Sequence, residues 1–137
     1  MVMSIYDELK KIEDELEGEE YTDSGISYYF ACDLVPATRK KAEAIRDILI
    51  RNKVIGKNDH AALAIIEDYV SDFKTISDEW HFNEQIKKRF LNIFKETDRY
   101  YRIMADGSYA SYGNLWSICR VLQKGEETVL LEFYITD

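Results

Sequence analysis

The sequence is poor in the residues that mark special architectures. Proline occurs once in 137 residues, glycine six times, cysteine twice and histidine twice. So little proline and glycine excludes a collagen-like repeat, and two cysteines cannot staple a disulfide scaffold. The longest apolar run, Ala61 to Ile66, is far too short to cross a bilayer. The first twenty residues carry carboxylates throughout and lack the basic start and apolar stretch of a signal peptide. A cytoplasmic protein with no membrane partner is therefore expected, and in that setting Cys32 and Cys119 are expected to be buried free thiols. Basic charge is also short: 18 Lys and Arg stand against 26 Asp and Glu, a formal net charge of -8. A field of that sign repels phosphate backbones, which argues against direct nucleic-acid binding.

What is present suffices for a core. Hydrophobic residues make up 46% of the chain and aromatics 13%, which suits one compact domain over residues 1–137. The acid is not spread evenly. Between Asp7 and Asp23 nine carboxylates face only Lys10 and Lys11, a local net of -7, which leaves 17 acids and 16 bases elsewhere. Such a segment serves either as a solvated face or as an anionic patch for a basic partner.

Periodicity predicts the elements. Ile5, Leu9, Ile12 and Leu16 form one apolar stripe, Ser4 with Asp7 resembles a capping box, and Gly18 supplies a stop, so the acidic segment is an ordered helix. Thr22 to Gly25 reads as a turn, and the alternation from Ile26 to Leu34 as a strand. After Pro36, a helix from Ala37 to Asn52 would bury Ala42, Ile45, Ile48 and Leu49. A third helix is expected from Asn58 or Asp59 with Ala62, Ile65, Ile66, Tyr69, Phe73 and Ile76 inward. A fourth, capped by Ser77 or Asp78, would bury Phe82, Ile86, Phe90, Ile93 and Phe94 and carry a basic strip of Lys87, Lys88 and Arg89. Beyond Thr97 the texture turns to sheet: a strand from Arg99 to Ala105, a turn at Asp106-Gly107, and a hairpin joining Leu115–Leu122 to Thr128–Ile135 across Lys124-Gly125. Asn114 to Gln123 also fits a helical period, but the last strand needs a partner for its backbone. The fold expected is α+β: about four helices, mostly N-terminal, on a small C-terminal antiparallel sheet that one early strand can join.

Catalytic motifs are missing. The chain has no phosphate-binding glycine loop, dinucleotide fingerprint, paired-cysteine zinc motif or HExxH, and the acidic run lacks a calcium-loop pattern, so no cofactor or metal is expected. Imidazole chemistry would have to use His60 or His81. A helical arginine–histidine pair of the ribonuclease kind is not available, because Gly56 interrupts the stretch between Arg51 and His60.

Ten tyrosines are the other unusual feature. Tyr100, Tyr101, Tyr109 and Tyr112 flank the Asp106-Gly107 turn among small residues, either as core rings or as a recognition loop, since a rigid amphipathic ring gives contact area at little entropic cost. With no catalytic motif, the reading is a small intracellular inhibitor, an immunity protein or antitoxin that covers the basic surface of a nuclease-like toxin. Glu13, Asp14, Glu17, Glu19 and Glu20 would pair with its cations, and the four tyrosines would anchor it. The alternatives are a phage or mobile-element protein that mimics nucleic acid to block a host defence enzyme, a small hydrolase or nuclease using His60 or His81, and a subunit of a larger assembly.

Overall fold

A computed structural model describes residues 4–18, 21–36, 40–52, 55, 57, 61–105 and 116–136. The order is α1 (Ile5–Leu16), β1 (Tyr21–Asp23), β2 (Ile26–Leu34), α2 (Lys41–Arg51), β3 (Ala61–Ile65), α3 (Tyr69–Trp80), α4 (Glu84–Lys95), β4 (Arg99–Ala105), β5 (Trp116–Lys124) and β6 (Glu127–Thr136). All pairings are antiparallel, and the strands lie in the order β1-β2-β6-β5-β4-β3.

The expected α+β class holds, with two corrections of proportion. The sheet is large rather than small and takes three strands from the first half of the chain, and α3 and α4 sit mid-chain. The reason lies in β6. Its run Val129-Leu130-Leu131-Glu132-Phe133 is buried on both sides, as a central strand must be, and it recruits β2 along Ser27↔Thr136 to Leu34↔Val129.

Alternation along each strand divides the core in two. Phe30, Cys32, Tyr100, Leu122, Val129, Leu131 and Phe133 meet α1, α3 and α4 on one face. Ile103, Cys119, Val121 and Leu130 meet α2, through Ala44, Ile45, Ile48 and Leu49, on the other.

Local chemistry explains most boundaries. Ser4 Oγ accepts from the Asp7 amide at 3.1 Å, as the capping pattern predicts, and Glu127 reaches from β6 to accept from the Ile5 and Tyr6 amides at 3.1 and 3.4 Å. The turn read at Thr22–Gly25 is tighter than expected. Only Ser24 and Gly25 turn, both at positive φ (54° and 84°), which lets Tyr21–Asp23 pair with β2 as a strand the periodicity missed. The β5–β6 hairpin forms as expected, with Gly125 at φ 60°, and Trp116–Lys124 is strand rather than helix.

Three helix predictions need correction. α2 begins at Lys41, residues 37–39 lie outside the described set, and Ala44 rather than the exposed Ala42 faces the core. Ala61–Ile65 is not helix but strand, paired from Ala61↔Ala105 to Ile65↔Tyr101. A short apolar run carries no reliable period, and strand pairing overrides the helical preference of its alanines. Asp68 then caps α3 through the Ser71 amide. Finally, Ser77 is a buried residue inside α3, and Asn83 caps α4, its Oδ1 accepting from the Ile86 amide at 2.8 Å. His81 is thereby moved out of a helical first turn. It closes α3 in the left-handed conformation (φ 56°, ψ 38°), with the His81 and Phe82 amides donating to the Asp78 and Ser77 carbonyls.

Candidate functional site

α1 is a fixed platform for the acidic segment. Glu127 holds its first turn, Ile5, Leu9 and Ile12 of its apolar stripe are buried, and near its end Glu13 Oε1 accepts from the Cys32 amide at 2.8 Å while Oε2 pairs with Lys10 at 2.6 Å. Glu13 therefore covers the outer edge of β2 and is engaged inside the fold through both oxygens. Asp14 is exposed on the same helix and Glu17 at its C-cap, and Glu19 and Glu20 lie outside the described residues. The basic strip of α4, distant in sequence, is adjacent in space: Arg89 pairs with Glu15 across α1 and α4.

The C-terminal end of α1, the β1–β2 hairpin and the α3–α4 turn enclose a cleft of about 430 Å³. Its walls are an aromatic row. His81 stacks on Tyr21 with centroids 3.8 Å apart, Tyr21 lies 5.4 Å from Tyr28, and Tyr28 meets the edge of Trp80 at 5.3 Å. Trp80 is itself fixed, its indole N–H donating to the Tyr29 carbonyl at 3.0 Å. Glu13 and Glu17 line the same cleft, whereas no described lysine or arginine does. A non-glycine residue in left-handed backbone costs about 1 kcal/mol, so His81 is held there by its surroundings.

The tyrosine set divides. Tyr100 is core rather than contact surface: its hydroxyl donates to Asp72 Oδ2 at 2.6 Å, and Arg120 forks onto both Asp72 oxygens at 2.8 Å. Burial alone would raise the Asp72 pKa, but the hydrogen bonds from Arg120 and Tyr100 outweigh it and hold the carboxyl below its ordinary range. This group fastens α3 to the sheet. Tyr101 is half-buried on the α2 side, with the Lys41 ammonium 5.6 Å from its ring centroid. Tyr109 and Tyr112, like the Asp106-Gly107 turn and His60, lie outside the described residues. The rings that do converge, Tyr21 and Tyr28, were not legible as a pair because their contact depends on β1, a strand the periodicity missed and whose Thr22 and Asp23 read as part of a turn.

A second polar cluster lies on the α2 face. Glu132 is only 5% exposed and accepts from Ser117 Oγ at 3.1 Å, beside Asp33, which binds Asn52 at 3.0 Å and Arg51 at 3.3 Å. Burial, aided by the neighbouring Asp33 charge and opposed by the hydrogen bonds from Ser117 and Asn52, raises the Glu132 pKa to about 7. Cys119 and Cys32 are buried free thiols, on the α2 face and the three-helix face respectively. Burial raises both, Cys32 to about 12, so neither is a ready nucleophile. Among the described residues no group of three or more His, Cys, Asp or Glu could hold a metal ion, and no helix is long and apolar enough to cross a membrane.

Fold and cleft together define an α+β protein with an aromatic recess lined by carboxylates. No protein-family model matches the chain, and no curated protein matches it. A solved structure does: that of citrus MAF1, with a TM-score of 0.51 and 12% sequence identity over 94% of this chain and 98% of that one. Identity that low makes this a likeness of fold alone.

Proposed function

We propose that this chain is a small acidic binding protein of the inhibitor kind, an immunity protein or antitoxin acting in the cytoplasm. It neutralises a toxin with a basic, nuclease-like domain by occluding the active site or substrate channel. One observation carries the reading: Asp14 is exposed on a helix fixed at both ends, and Glu17, exposed at its C-cap, stands at the rim of an aromatic cleft with no described lysine or arginine. Preformed charge of one sign speeds encounter with a cationic surface, and rigid rings add contact area at low entropic cost. The test is capture of the tagged protein from lysate of its own cells, followed by association kinetics with the partner retained. The expected result is one stoichiometric partner with a basic domain, whose association slows as salt rises and slows again with Asp14→Lys or Glu17→Lys. Association that ignores both salt and charge reversal would overturn the electrostatic mechanism. A host defence enzyme as the partner would favour nucleic-acid mimicry instead.

A second reading rests on His81, whose imidazole stands in the cleft on a left-handed backbone. A small hydrolase or nuclease would use it as general base, and His81→Ala would then abolish turnover while leaving the fold intact.

A further inference from the structure

The cleft has a more specific chemistry than its acidity. Register fixes which backbone groups of β2 face outward. The two-residue hairpin makes Asp23 and Ile26 a hydrogen-bonded pair, so the outward groups of β2 fall on every second residue: Ile26, Tyr28, Phe30 and Cys32. β1 ends at Tyr21, opposite Tyr28, and the Cys32 amide is taken by Glu13. Between these two closures Phe30 is left, its N–H and C=O turned to an edge that no described strand pairs, and Phe30 lines the cleft. A window one residue wide is too short for an added strand but suits a single side chain.

The acceptors and rings of this window and its walls favour a flat cation. Glu17 lines the cleft and makes no ion pair among the described residues, so its carboxylate is available, and the Phe30 carbonyl is a second acceptor. His81, Tyr21 and Tyr28 supply ring faces and edges. A guanidinium, with five donors in one plane and a weakly hydrated face, uses acceptors and rings together, whereas an ammonium is a point charge without a stacking face.

We propose that the cleft bounded by Glu17, Tyr21, Tyr28, Phe30 and His81 is a guanidinium pocket that receives one arginine side chain of the protein partner. This rests on the reading of a cationic partner, but its test does not require that partner. N-acetyl-arginine amide, N-acetyl-lysine amide and N-acetyl-citrulline amide are titrated into the full chain while the Trp80 indole N–H resonance is followed by NMR. The arginine amide is expected to give a saturable shift, with the lysine and citrulline amides roughly threefold to fivefold weaker or more. Glu17→Gln, at an exposed position, is expected to weaken the arginine amide by a similar factor of about three to five with the spectrum otherwise preserved, and Tyr21→Ala likewise. No saturable shift, or citrulline binding as well as arginine, overturns the pocket; lysine equal to arginine overturns its guanidinium character. The two proposals fail separately. If the arginine amide binds and no basic partner exists, the inhibitor reading falls and the pocket stands. If a basic partner binds Glu17→Gln and Tyr21→Ala as tightly as wild type, the pocket falls and the inhibitor reading stands.

Discussion

The two faces of the sheet solve the same burial problem with different materials. Three helices cover one face, where rings from α3 and α4 meet rings from the sheet: Phe73, Trp80, Phe90 and Phe94 pack with Phe30 of β2 and Phe133 of β6, neighbouring centroids lying about 5–6 Å apart. One helix, α2, covers part of the other with aliphatic side chains, and the rest of that face holds the Glu132–Ser117 pair and the Tyr29–Tyr134 stack, whose centroids are 5.1 Å apart. Adjacent residues of β6 serve both sides, Phe133 inward to the rings and Glu132 toward the α2 side. The aromatic face carries the bulk of the apolar burial. The α2 face keeps a buried carboxyl whose charge state depends on pH.

The strongest way to break this comparison is to remove one ring and one aliphatic chain from the same strand. Phe133→Ala is expected to cost about 3–5 kcal/mol and Leu130→Ala about 2–5 kcal/mol by urea denaturation, with the ring at or above the aliphatic chain. A Leu130 cost well above that of Phe133 would reverse the assignment of the dominant core.

Titration sharpens the other side. The Glu132 pKa is about 7 in the fold against an ordinary 4.5, so the unfolded chain ionises first as pH rises. Stability from this group is complete below the ordinary carboxylate pKa and is lost as pH climbs through about 7, by roughly 3 kcal/mol in all. Glu132→Gln should therefore flatten the fall in unfolding midpoint between pH 5 and pH 8 and be the more stable protein at the upper end. An unchanged slope would place the pH dependence elsewhere. The smallest effect belongs to the surface: Glu15→Lys is expected to cost under about 1 kcal/mol, and adding Arg89→Glu should recover much of it, because Glu15 is exposed and Arg89 partly so.

How far the sequence could be read follows the same division. The stripe of α1 and its serine cap depend on neighbours three and four residues away, and both were legible, as was the last hairpin with its glycine. β3 was not, because Ala61–Ile65 takes its state from Ala105–Tyr101, some forty residues on, and nothing local in five apolar residues specifies that pairing. The cleft was hidden for a similar reason. His81 and Tyr21 meet only because Ser24 tolerates positive φ, which lets Tyr21 and two residues of an apparent turn, Thr22 and Asp23, become a strand. Carboxylate count pointed to α1 as a surface, but the internal duty of Glu13 depends on an amide nineteen residues away.

The two thiols turn the sheet into a pair of clocks. Cys32 and Cys119 are buried on opposite faces, and burial suppresses the thiolate at each. A thiol reagent near neutral pH therefore reacts only during the moments when a face parts from its helices. Labelling at Cys32 counts the openings of the three-helix side, and labelling at Cys119 those of the α2 side. Comparing the two rates within one molecule would show whether the layers breathe together or whether α2 lifts while the aromatic side stays shut.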